Sequence, residues 1–341
     1  MNEQDVTRDG PQQQTTGRDA RMWSGVGGHP RRDRAEQHPG TSYYGNSVIN
    51  PPVWEEREIA GYLFLGGLAG ASSMLAAGAE ITGRPALASR AKLCASGAIG
   101  LSLVALIKDL GRPARFINML RVFKVTSPMS VGTWIVSAYS PFNFATTASE
   151  LTGILPALGT AAGLGAGLLG AGVASYTGAL IADTAVPAWH EGYREMPFLF
   201  VGSASGAGGG FGLLAAPLAE NAPAQKMAVG GAIVELVAEH LLERRLGMIA
   251  EALHDGKSGQ RLRAAKALTA AGALGAATLG RRNRLAAAAS GAALIAGSAL
   301  TRFGIFAGGM ASAKDPKYTI IPQRQRLERE GPIKLSTGSA G

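Results

Sequence analysis

The sequence has a single cysteine, Cys94, and five histidines in 341 residues. One thiol excludes a disulfide framework, and it excludes a protein-held iron–sulfur cluster, which needs a set of thiolates. A bis-histidine haem inside a bilayer needs two imidazoles facing each other. Of His29, His38, His190, His240 and His254, only His240 falls within an apolar segment, so neither a transmembrane haem nor a metal centre is expected. Charge is scarce too, but only in the middle. Residues 1–58 hold 16 of the 57 charged side chains and residues 314–341 hold 9, which leaves 32 for the 255 residues between. No apolar stretch precedes residue 57, so no signal peptide or twin-Arg leader is expected, and the first apolar helix must itself target the chain.

The chain-wide mean hydropathy of +0.11 hides long uncharged runs: Ile59–Ala79, Val125–Ser149, Leu151–Ala182 and Met196–Ala219. At about 1.5 Å per residue, each is long enough to cross a hydrocarbon core of roughly 30 Å. The fold expected is an all-α membrane protein of about eight transmembrane helices, near 59–80, 91–110, 130–150, 153–181, 197–218, 226–244, 264–281 and 285–306. A soluble two-domain enzyme is nearly excluded. The seventh span is the weakest, with 14 uncharged residues between Lys266 and Arg281, and it needs its flanking cations to snorkel. The second resembles it, with 15 between Lys92 and Lys108. Gly66-x-x-x-Gly70, Gly163-x-x-x-Gly167, Gly206-x-x-x-Gly210 and Gly208-x-x-x-Gly212 let helix backbones approach closely, a packing signal without functional content.

Residues 1–42 are polar and poor in aliphatics, the composition of a disordered tail. Residues 43–58, with Pro51, Pro52, Val53 and Trp54, read as an extended segment, either an interfacial aromatic anchor or a strap on a partner. Pro52-Val-Trp54 before Tyr62-Leu-Phe-Leu-Gly66 recurs faintly as Pro187-Ala-Trp189 before Phe198-Leu-Phe-Val-Gly202. The repeat divides the middle into two four-helix bundles, 59–183 and 184–313, followed by a tail, 314–341. With eight spans, 26 of the 33 basic residues fall on the side of both termini and 7 on the other. Positive-inside bias therefore predicts a multi-pass protein of the cell membrane with cytoplasmic termini. Partners are expected among membrane subunits and lipid, not nucleic acid.

Chemistry is concentrated at span ends. Lys108, Asp109, Arg112 and Arg115 follow the second span. Gly111 and Pro113 suit a helix stop, while the charges suit docking of an acidic partner. Tyr176 lies two turns before Asp183, hence on nearly the same helix face, and Tyr62 lies one turn into the first span. A phenol in a span is often an interfacial residue. Two phenols near a carboxylate could instead hold a quinone and relay its protons, with Asp109 and Asp183 as acceptors. Glu235, Glu239, His240 and Glu243 share the sixth span. They read either as a proton-conducting ladder, with only Glu235 deep, or as an emerging helix end in which Glu239 and Glu243 pair with Arg244 and Arg245.

Tyr62-Leu-Phe-Leu-Gly-Gly-Leu-Ala-Gly70, Asp109-Leu-Gly-Arg-Pro113 with Arg115-Phe116, Ser127-Pro-Met-Ser130 with Trp134, Tyr176-Thr-Gly178, and Pro187-x-Trp189 before Pro197-Phe-Leu-Phe200 together resemble the NrfD/PsrC family, the integral membrane subunit of polysulfide-reductase-like molybdoenzymes. The resemblance covers about residues 43–245. It implies a haem-free membrane anchor that exchanges electrons between menaquinone or ubiquinone and a ferredoxin-like 4Fe-4S subunit, which serves a molybdopterin catalytic subunit. By motif position it points to Tyr62 and Tyr176 for quinone. Trp54, Arg112 and Arg115 are the expected docking residues, and Asp109, Asp183 and Glu235 the expected proton carriers. A proton-coupled secondary transporter and a structural anchor without a quinone site are the competing readings.

Overall fold

The computed structural model describes residues 48–110 and 114–330, and every regular element among them is helical. In chain order these are α1 (Glu56–Ile81), α2 (Pro85–Asp109), α3 (Ala114–Met119), α4 (Pro128–Thr152), α5 (Pro156–Ala182), α6 (Pro187–His190), α7 (Met196–Ala215), α8 (Ala222–Leu246), α9 (Glu251–His254), α10 (Gly256–Ala277), α11 (Arg284–Lys314) and α12 (Lys317–Glu330). Proline in the first turn starts α2, α4, α5, α7 and α8, where its missing N–H costs nothing and its φ is already helical. Asn283 caps α11, its side chain accepting from the amides of Leu285 and Ala286.

By length and apolar composition α1, α2, α5, α7 and α11 qualify to cross a membrane. Helices α4, α8 and α10 are of similar length, 22 to 25 residues, but more polar. In α4, an expected span, the reason is visible: Tyr139, Asn143, Thr146 and Thr147 are buried against neighbouring helices. Polar side chains inside a lipid-bound assembly lower a segment's apolarity without meeting lipid.

Helix α1 packs on α2 and α5, α4 packs on α5, and α2 touches α4; the same pattern recurs as α7 on α8 and α11, α10 on α11, and α8 on α10. The two sets meet along α1, α5, α7 and α11. Glycine makes these contacts possible. A Cβ on Gly70 would strike the Gly170 carbonyl, and one on Gly210 would lie 2.8 Å from the Gly291 oxygen, so backbones of α1 and α5, and of α7 and α11, touch directly.

Ion pairs and caps show which helix ends lie together. At one end Arg261 at the start of α10 pairs with Glu56 at the start of α1, and Arg245 at the end of α8 pairs with Glu195 beside α7 at 2.7 Å. At the far end the guanidinium of Arg284 donates to the Leu213 carbonyl at 2.7 Å, and the ammonium of Lys92 lies 3.1 Å from both Glu80 and Glu150. Thr160 of α5 donates to Glu80 at 2.7 Å. This cluster ties α1, α2, α4 and α5 together. Helix α2 starts at Pro85, so Lys92 is two turns inside it, buried, where a helix-end cation was expected. Breaking a largely buried pair leaves charges without partners. Lys92→Met should therefore cost about 2 kcal/mol, discounted for the partly exposed carboxylates. A thermal unfolding midpoint in detergent equal to that of the parent protein would show that the cluster holds nothing.

Candidate functional site

The first set of helices encloses a cavity of about 250 Å³ at the end where α1 and α4 begin and α2 and α5 finish. Its walls are Trp54, Ile59, Tyr62 and Leu63 from the approach to α1 and α1 itself, Leu106, Asp109 and Leu110 from α2, and Arg115, Phe116 and Met119 from α3. Met129, Thr133 and Val136 of α4 and Tyr176, Leu180 and Ile181 of α5 complete it.

Tyr62 and Tyr176 stand 114 residues apart in the chain and meet in this wall, hydroxyl to hydroxyl. Both rings are buried, 5% and 7% exposed, and their hydroxyls join Asp109, Arg115 and Thr133 as the polar side chains of a largely apolar chamber. Two local features put them there. Ser102 of α2 donates to the backbone oxygen of Tyr62 at 3.1 Å, fixing α1 on α2 at that turn. Gly132 of α4 leaves room for the second ring, since any Cβ there would collide with the Tyr176 ring. Glu58 accepts from Lys108 at 2.9 Å, which locks the start of α1 to the end of α2 next to the chamber.

Asp109 ends α2, half-buried on the cavity wall, and Arg115 opens α3, its guanidinium donating to the Leu110 carbonyl at 3.2 Å. Arg112 lies outside the described residues. Trp54 also lines the cavity; its ring is stacked on Trp189, with centroids 6.1 Å apart and planes 19° apart. Asp183 caps the end of α5 on the exposed surface and does not line the chamber. Tyr62, Tyr176, Asp109, Arg115 and Trp54 are thus brought together, and Asp183 is not.

Glu235 belongs to a different place. It is buried in the second set of helices, where it accepts from Thr301 at 2.7 Å and from Thr269 at 3.4 Å. Nearby Arg302 is fully buried, donating to the Phe200 carbonyl at 2.7 Å with its guanidinium 4.0 Å from the centre of the Phe200 ring. Glu239 and Glu243 pair with Lys266 of α10, not with Arg244 and Arg245, and His240 is exposed. The expected helix-end pairing is therefore replaced by a cross-helix one.

Sequence reasoning named the motifs Arg115-Phe116 and Ser127-Pro-Met-Ser130 without assigning work to Phe116, Met129, Thr133 or Gly132, which shape the chamber. Arg302, within the expected eighth span, was given no role; nothing local in the sequence marks it as buried. Among the described residues no group of three or more His, Cys, Asp or Glu is placed to hold a metal ion.

Residues 46–243 match the family described as "Polysulphide reductase, NrfD". The match covers more than half of the chain and includes every residue of the cavity wall. The chain belongs to that family, as a multi-pass membrane subunit of polysulfide-reductase-type complexes. No curated protein is similar enough to the chain to count as a match.

Proposed function

We propose that this NrfD-family protein is the haem-free, quinone-reactive electron-transfer subunit and membrane anchor of a molybdopterin oxidoreductase complex. Its eight long helices cross the membrane as two four-helix bundles. The quinone, menaquinone or ubiquinone, occupies the chamber of the first. The observation that carries this reading is the meeting of the Tyr62 and Tyr176 hydroxyls inside a mostly apolar cavity. Apolar walls suit a quinone ring and its isoprenoid tail, and a few convergent polar groups suit its oxygens.

Oxidation of a quinol releases two electrons and two protons. Electrons leave toward a ferredoxin-like 4Fe-4S subunit that serves the molybdopterin subunit; protons need acceptors within hydrogen-bond reach. The two phenols hold the quinone oxygens, and Asp109 at the chamber wall takes protons toward the surface where Asp183 lies. Glu235 stands apart from the chamber and carries protons only within the second bundle. Trp54 and Arg115 line the cavity beside the segment between α2 and α4, whose exposed Ile117, Val122, Phe123 and Val125 offer an apolar face for the cluster subunit, and Arg112 belongs to that segment by sequence.

Removing a hydroxyl while keeping the ring isolates the hydrogen bond. Tyr176→Phe should lower quinol-linked turnover by about tenfold, the scale of one lost hydrogen bond, while electron transfer from an artificial donor to the catalytic subunit survives. Unchanged quinol activity in the Tyr62→Phe, Tyr176→Phe double variant would move the search to Glu235 and Arg302.

Docking has a separate readout. Arg115→Ala should reduce co-purification of partner subunits while leaving the amount of this chain in the membrane unaltered, and undiminished co-purification would assign Arg115 to the Leu110 contact alone.

The excess of basic residues on the side of both termini supports a cytoplasmic position for them, and with them for the chamber end of the helices. Cytoplasmic activity of a C-terminal reporter fusion is expected; activity restricted to the far side would reverse the topology.

A further inference from the structure

We infer that Trp189, from outside the first set of helices, is a positioning residue for the quinone chamber, acting through Trp54, so that the site is completed by the second half of the molecule. The inference rests on the quinone reading and extends it to residues that touch no part of the cavity.

Trp54 is a wall of the chamber, and its ring is stacked on that of Trp189, which does not line it. Trp189 is itself immobilised. It is 0% exposed, its indole N–H donates to the Ile305 carbonyl of α11 at 2.9 Å, and its ring lies 5.5 Å from that of Phe306. Short helix α6, which carries it, is held to α11 by a second bond, from the Ala188 amide to the Ser312 hydroxyl at 3.2 Å. Gly309 of α11 supplies the space: a Cβ there would fall on the indole of Trp189. Large aromatic rings packed face to face have few alternative positions in a dense interior. The chain therefore runs from the α11 backbone through Trp189 to Trp54 and the chamber.

The two tryptophans occupy matching places in the faint internal repeat, Pro52-Val-Trp54 and Pro187-Ala-Trp189. Each closes the approach to the first helix of its set, and they close it against each other. A contact of this kind makes the width of the chamber mouth depend on how the two sets sit together, and it gives α11 a route to the site without a residue in it.

Gly309→Ala adds one methyl group at a residue that does not line the chamber and displaces Trp189. The test is titration of the full-length protein in detergent with a short-chain naphthoquinone, following the quenching of tryptophan emission in a Trp23→Phe, Trp134→Phe background that leaves Trp54 and Trp189. The parent should show saturable quenching, and Gly309→Ala should move its midpoint to about tenfold higher quinone. In the assembled complex the same variant should raise KM for quinol with kcat little altered, the split expected of a binding wall. Trp189→Phe, which keeps a ring on Trp54 and loses the bond to Ile305, should give a smaller shift of about threefold, and it decides the matter if Gly309→Ala does not assemble. A saturable parent with an unmoved midpoint in these variants overturns the role of Trp189 and leaves the quinone site standing. Absence of saturable quenching in the parent overturns the quinone site, and the inference falls with it.

Discussion

A polar side chain in a helix surrounded by lipid has to be satisfied inside the protein, and a charged or amide group by another helix, because the solvent offers it nothing. That requirement organises this protein. Lys92 reaches Glu80 and Glu150 across three helices. From the same cluster a file of hydrogen bonds runs inward: Thr147 donates to the Lys92 carbonyl at 3.2 Å, Asn143 donates to Ser96 at 3.0 Å, and Ser73 meets Tyr139 at 2.7 Å. In the other set Glu235 draws Thr301 and Thr269 to itself. Each arrangement needs helix axes close enough for short side chains to meet, and glycine contacts such as Gly70 on Gly170 provide that closeness.

The chamber wall meets this requirement in another way. Tyr62 and Tyr176 meet hydroxyl to hydroxyl in the wall of a largely apolar cavity, so that one ligand oxygen placed at their meeting point could be reached by both. In such a pair one hydroxyl donates and the other accepts, which leaves the second O–H to donate to a carbonyl brought into the chamber. The pair lies near the helix ends, with Asp109 and Arg115 on the same cavity wall, and under the proposed reading these are the proton acceptor and the docking cation.

Much of the architecture was readable because the helices are written in Gly and Ala with charges at their ends. All eight expected spans coincide with long helices, and α2 and α10 extend well beyond the short uncharged cores that made them look weak. The extensions contain charged residues that another helix satisfies, which a reading by local apolarity cannot foresee. The same blindness covered Arg302 and Lys92, whose burial is decided by residues far away in sequence. Tyr62 and Tyr176 stand out in the sequence as phenols in spans near a carboxylate, and again by motif position; no spacing within one helix relates them, so their contact was not legible. Asp183 was expected on the face of Tyr176 by helical periodicity, but α5 ends at Ala182, and the periodicity stops one residue short. Trp54 left two readings open in the sequence; its stacking on a second tryptophan required the packing of the halves.

The central claim is that quinone occupies the chamber between Tyr62 and Tyr176. A photoreactive azido-quinone, illuminated on the assembled complex and mapped by mass spectrometry of peptides, tests it most directly. The account predicts label on the cavity-lining stretches, residues 54–63, 106–119, 129–136 and 176–181, with protection by excess unmodified quinone. Protectable label confined to α8 and α11, around Glu235 and Arg302, would contradict it.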